Sequence, residues 1–163
     1  MIIKTKMLKA LNQQINAELY SSYLYLSMAA YFESENLRGF ARWMKAQSRE
    51  EYGHAMKIFE YALGRGGKVD LGEIEAPRTE WKSALGVFEE TLAHELKVTG
   101  LIHGLVKLAK EENDYATEVF LQWFVTEQVE EESSALQTVE TLKAIKDSAN
   151  GLFMLDHALG ERK

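Results

Sequence analysis

Apolar residues recur every three or four positions along almost the whole chain, the period of a helix with one buried face. Four long segments carry the pattern, at about residues 6–34, 38–64, 82–110 and 115–145, and a short fifth lies at about 148–160. No convincing strand alternation competes with them. The connections Ser34 to Leu37 and Glu111 to Asp114 are short enough only to turn the chain back, which predicts two antiparallel helix pairs. Between the pairs, Gly64, Gly66, Gly67, Gly72 and Pro77 crowd about 16 residues that lack helical periodicity. Extended at ~3.3 Å per residue, that stretch spans roughly 50 Å, against ~40 Å for a helix of about 27 residues, so it reaches from one end of a bundle to the other. The predicted fold is therefore all-α: a four-helix bundle with a long crossover between its second and third helices, plus a short fifth, C-terminal helix. The fifth segment, GLFMLDHALG, has an apolar face of Leu152, Leu155 and Leu159, which either packs on one end of the bundle or plugs a junction between subunits.

What interrupts each apolar stripe is more informative than the stripe. In the first segment, Leu8, Leu11, Ile15, Ser22, Leu26 and Ala29 form a line that passes through Glu18. In the second, Phe40, Met44, Gln47, Ile58 and Tyr61 share a face with Glu51 and His54. In the third, Glu95 stands among Leu85, Phe88, Leu92, Thr99, Ile102, Val106 and Ala109, and in the fourth Phe120 and Phe124 lead through Gln128 and Glu131 to Ala135, Thr138 and Leu142. A single Glu at the edge of a stripe ordinarily reaches solvent. Four of them, one per helix, would repel one another in a core and be poorly solvated, at several kcal/mol each. A pair of divalent cations removes that conflict. Glu18, Glu51, Glu95 and Glu131 with His54, and Gln128 as a further candidate, offer hard oxygens and one imidazole, a set suited to iron or manganese. Glu51-x-x-His54 occurs once, and the matching place in the fourth segment reads Gln128-x-x-Glu131, so two metal positions would be unequal. Glu50, Glu127 and Glu130 flank this set and define a candidate third cation site, in competition with a plain solvated acidic face on the run EQVEEE.

Composition narrows the field. The chain has 163 residues, 46% hydrophobic and 27% charged, which suits one domain over 1–163 with a sizeable core. One proline, where ~5% is usual, agrees with long uninterrupted helices. The absence of cysteine excludes disulfides, thiolate zinc sites, iron–sulfur clusters and thiol nucleophiles. A net charge of −6 without clustered Lys and Arg argues against nucleic acid as a partner and favours cations. No run approaches the ~18 apolar residues of a membrane span, and the amino terminus does not read as a secretory signal, so the cytoplasm is the expected compartment. His94, His103 and His157 lack a second ligand at metal spacing and are expected to pack or face solvent.

The segments LNQQINAELYSSYLYLSMAAYF, EEYGHAM, AHE and FLQWFVTEQVEEE, at their spacings, resemble the non-haem ferritins of bacteria and archaea from about Leu8 to Leu159. The resemblance implies one iron site from Glu18, Glu51 and His54 and a second from Glu51, Glu95 and Glu131, with Glu51 bridging and Gln128 close by. It implies a third iron site at Glu50, Glu127 and Glu130, and a role for Tyr25 in electron transfer beside the pair. It further implies ferroxidase activity on Fe(II), with O2 or peroxide as oxidant, storage of Fe(III) as an oxo-hydroxide mineral, and a homo-oligomeric cage, commonly of 24 subunits. A haem-binding relative would carry Met at position 52 and a second Glu-x-x-His in the fourth segment; this chain has Tyr52 and Gln128-x-x-Glu131, so no haem is expected. A rubrerythrin would need cysteines, and Dps-type cages place their ligands between subunits. The rivals are a di-metal redox enzyme, a peroxidase or oxygenase that keeps its metals, and a metal-free helical interaction protein.

Overall fold

The structure is a computed structural model that describes residues 2–163. It contains α1 (Thr5–Ser34), α2 (Arg38–Gly64), α3 (Ala84–Glu111), α4 (Tyr115–Ile145) and α5 (Ala149–Gly160), with no strand among the described residues. None of the helices is long and apolar enough to cross a membrane.

Local chemistry sets the helix ends. The side chains of Ser83, Asp114 and Ser148 accept the backbone N–H groups of Gly86, Thr117 and Gly151 at the starts of α3, α4 and α5, at 3.0, 3.1 and 3.0 Å. Caps of this type contribute ~1 kcal/mol each. Both tight hairpins reverse through an asparagine in the left-handed region, Asn36 (φ 58) and Asn113 (φ 55), a conformation that few other side chains adopt cheaply. Arg65 ties the end of α2 to the start of α4 by donating to both carboxylate oxygens of Asp114, at 3.1 and 3.3 Å, and to Thr117 Oγ1 at 3.2 Å.

The glycine-rich stretch is the crossover. Its backbone follows α1 in the α1 direction, with Asn12 Nδ2 donating to Lys68 O at 3.1 Å and Ser27 Oγ to Arg78 O at 2.6 Å. It ends at Trp81, which is buried edge-on against Tyr31. The result is the predicted topology, with α2 and α3 parallel.

Two apolar clusters fill the interior. One joins Tyr25, Met28, Phe32, Phe40, Met44, Phe88 and Leu142; the other joins Met7, Leu11, Ile15, Ile58, Ile102, Leu121 and Phe124. Glu18, Glu51, Glu95 and Glu131 fall between them on each of the four helices. The α1 stripe differs from its expected course, because Leu26 is 50% exposed and Leu8 and Ser22 are only partly covered. The buried line is Met7, Leu11, Ile15, Glu18, Ser21, Tyr25, Met28 and Phe32. Seven residues make two turns less ~20°, so Tyr25 returns to the Glu18 face, whereas Leu26 lies ~80° beyond it.

The fifth helix takes the first of its two expected roles. Leu152, Leu155 and Leu159 pack against the first cluster at the end of the bundle, mainly over α2. Asp156 Oδ1 accepts Phe40 N–H at 3.0 Å, supplying the cap that α2 lacks from its own Leu37. Gly39 permits the approach, since a Cβ there would lie 1.6 Å from the Asp156 carbonyl oxygen.

Candidate metal centre

Each of the four long helices, α1 to α4, delivers one carboxylate to a single layer. Glu18, Glu51, Glu95 and Glu131 are 1%, 2%, 1% and 7% exposed, and His54 6%. Ligand atoms of Glu18, Glu51 and His54 all lie within 4.8 Å of one another, and so do those of Glu51, Glu95 and Glu131. Glu51 belongs to both groups and therefore stands between two potential cation positions. His54 Nδ1 is 3.2 Å from Glu51 Oε2, because three residues along a helix bring side chains onto one face, and 4.0 Å from Glu18 Oε2 across the α1–α2 pair.

Burial and crowding penalise the ionised forms. Glu18 and Glu51 are pushed well above the ordinary carboxyl range, first by burial and then by their neighbours, Glu51 in the case of Glu18 and Glu95 in the case of Glu51. Burial raises Glu95 as well, and burial with the charge of Glu95 raises Glu131 to about 7. Without cations, burial and crowding favour the protonated forms in this layer.

Neutral donors grip every carboxylate. Gln14 Nε2 donates to Glu18 Oε1 at 2.8 Å, and Gln47 Nε2 donates to Glu51 Oε1 at 3.1 Å and Glu131 Oε2 at 2.7 Å. Gln128 Nε2 donates to Glu95 Oε2 at 3.1 Å, and the Tyr25 hydroxyl to Glu95 Oε1. Tyr25 is wholly buried, and burial followed by the charge of Glu95 raises its phenol well above the usual range. No guanidinium or ammonium enters these bonds. Amides and a phenol hold the carboxylates in place without neutralising them, which leaves four negative charges to match two divalent cations.

The flanking acids sit differently. Glu50, Glu127 and Glu130 line one cleft of about 460 Å³, together with Glu131, Trp43 and Arg162. Within it Glu127 joins His54 and Glu131 as a third group of close ligand atoms, with His54 Nε2 3.9 Å from Glu127 Oε1. Glu50 is instead paired with Arg162 Nη2 at 2.7 Å, the guanidinium lying over the Trp43 ring at 4.4 Å. Glu50, Glu127 and Glu130 thus share a cleft but do not gather as three ligands on one point.

Gln14 is not among the candidates the sequence offers, and Gln47 stands there only as part of an apolar stripe. The available signal was a glutamine four residues before each of Glu18 and Glu51, one turn away on the same face. His94 packs, as expected, with Nε2 2.8 Å from Ser21 Oγ and its ring against Tyr20 and Tyr25. His103 and His157 are exposed.

A four-helix bundle with a buried layer of carboxylates and one imidazole defines the class of ferritin-like di-metal proteins. The sequence model of the ferritin-like domain matches residues 8–145. The chain is 46% identical over 161 residues to a bacterial non-haem ferritin of Bacteroides fragilis, covering 99% of this chain and 100% of that one. With a counterpart from Staphylococcus aureus the identity is 37%, over 99% and 97% of the two chains. An open-pore ferritin of Archaeoglobus fulgidus superposes with a TM-score of 0.98 at 53% identity, over 99% of this chain and 98% of that one. The chain belongs to the ferritin family.

Proposed function

We propose that this protein stores iron as a ferroxidase, oxidising Fe(II) inside each bundle and passing Fe(III) on to a mineral. The observation that carries the reading is the pair of buried ligand groups sharing Glu51. One Fe(II) binds to Glu18, Glu51 and His54 and a second to Glu51, Glu95 and Glu131, with Gln128 and Tyr25 holding Glu95. Each Fe(II) gives one electron to O2, which leaves with two protons as hydrogen peroxide; peroxide is itself a competent oxidant in this scheme. In this reading Tyr25, hydrogen-bonded to Glu95, passes an electron to the centre.

Charge supports storage over retention. Four carboxylates balance two Fe(II), but oxidation leaves two positive charges in excess, and the His54, Glu127 and Glu131 group with Glu50 and Glu130 draws the product outward. A third cation there displaces Arg162 from Glu50. Exposed Tyr23, Leu26, Phe153 and Met154 offer apolar surface to neighbouring copies of the chain, and the assembly in this reading is a homo-oligomeric cage of 24 subunits. The setting in this reading is the cytoplasm, and the scheme requires no haem.

The test is anaerobic loading of metal-free protein with two Fe(II) per subunit, followed by mixing with O2 and measurement of O2 consumed and Fe(III) formed. About one O2 per two Fe(II) is expected, with the fast phase lost in Glu51→Ala. Equal rates in Glu51→Ala and the unmutated protein would overturn the proposal.

A further inference from the structure

Gln47 holds the one polar atom in the carboxylate layer that the ligand set leaves unexplained. It lies one turn before Glu51 on α2 and is 1% exposed. Its Nε2 donates to Glu51 on its own helix and to Glu131 on α4, yet its Oε1 is buried without a hydrogen-bond partner. A buried amide carbonyl left without a donor is costly and rare. With Glu51 and Glu131 ionised, as bound cations require, turning the amide over does not relieve it, because the carbonyl would then face two carboxylate oxygens and the NH2 group would lose both acceptors.

The protein offers no donor in its place. The amide of Gln14 is given to Glu18, that of Gln128 to Glu95, and the Tyr25 hydroxyl to Glu95. With cations bound, the carboxylates are ionised and only accept. The missing donor therefore comes from outside the chain, and in a layer this small it is an O–H group. The two carboxylates that fix Gln47 are both in the Glu51, Glu95 and Glu131 group, not both in the His54 group.

We propose that Gln47 is a positioning residue for the second metal position, and that its Oε1 accepts a hydrogen bond from a water or hydroxide bound to the cation held by Glu51, Glu95 and Glu131. This rests on the di-iron reading above. It makes the second position the one with a solvent-derived, exchangeable ligand, whereas the first is completed by His54. The same amide that steadies Glu51 and Glu131 then marks where an oxygen ligand enters and leaves.

The test uses Co(II), which resists oxidation here and whose visible bands strengthen as its coordination number falls. Metal-free full-length protein is titrated anaerobically as the unmutated form, as Gln47→Leu, which removes the amide, and as Gln47→Asn, which keeps the amide but withdraws it by one methylene. The asparagine variant carries the test should the leucine variant fail to fold. In both variants the first Co(II) is expected to bind as before, while the second binds at least ~10-fold more weakly and with stronger bands, having lost a ligand. Unchanged second-site affinity and band intensity would overturn the inference, as would an equal loss at both sites, which is the mark of a merely structural glutamine. Failure of the unmutated protein to bind two Co(II) would instead overturn the di-iron reading, and this inference with it.

Discussion

Removing one carboxylate from the layer should make the metal-free protein more stable, and increasingly so as pH rises. Glu131 ordinarily titrates at 4.5, but burial and Glu95 hold it at about 7. The folded chain therefore binds this proton more tightly than the unfolded chain does. The sign follows: the contribution is neutral below about 4.5, stability is lost as pH climbs from there, and the loss is complete above about 7. A displacement of that size corresponds to about 3 kcal/mol. Glu131→Gln keeps the shape and an acceptor for Gln47 Nε2 but removes the charge, and it also relieves Glu51, which feels Glu131 directly. Urea unfolding of the two metal-free proteins from pH 4.5 to 8 measures the difference. From Glu131 alone the Glu131→Gln protein should gain about 3 kcal/mol on the unmutated one across that range, and the relief of Glu51 adds to the gain. A difference that stays flat, or runs the other way, would refute the claim that the layer is strained by its own charge. With two divalent cations present the ranking should reverse, because the variant has lost a ligand.

Other outcomes follow from single contacts. Burial and Lys97 hold His94 at about 4 rather than 6.5, so the unfolded chain takes up a proton there first, and stability should fall by up to about 3 kcal/mol as pH drops from 6.5 to 4. His94→Gln should flatten that acid limb in the same urea series. Gly39→Ala sets a methyl group against the Asp156 backbone and should cost ~1–3 kcal/mol, read as faster amide exchange confined to α5 and the start of α2. Arg162→Gln frees Glu50 and should tighten binding of a third cation several-fold in a Zn(II) titration, leaving the first two sites unchanged.

Much of this was legible because the helices are long. Over four segments the 3.6-residue period exposes any residue that breaks an apolar face, so Glu18, Glu51, His54, Glu95 and Glu131 stand out in the sequence, and the crossover is marked by its glycines, its lack of helical period and its length. What escaped depended on angle and partner. Steps of four residues from Glu18 lead to Ser22 and Leu26, whereas accumulated rotation carries the buried face of α1 to Ser21 and Tyr25. Gln14 and Gln47 look like ordinary polar residues until their amides are seen to meet buried carboxylates. The pairing of Glu50 with Arg162 joins positions 112 residues apart and has no local signature.

If iron is oxidised by O2 at the carboxylate layer in order to be stored, it must accumulate with the protein. Metal-free protein is loaded in air with a large excess of Fe(II) and passed over a sizing column, with iron and protein quantified in the same peak. Iron far above three atoms per subunit, co-eluting with a very large particle, is expected; saturation at about two per subunit would rule out storage and mark a di-metal enzyme that keeps its metals.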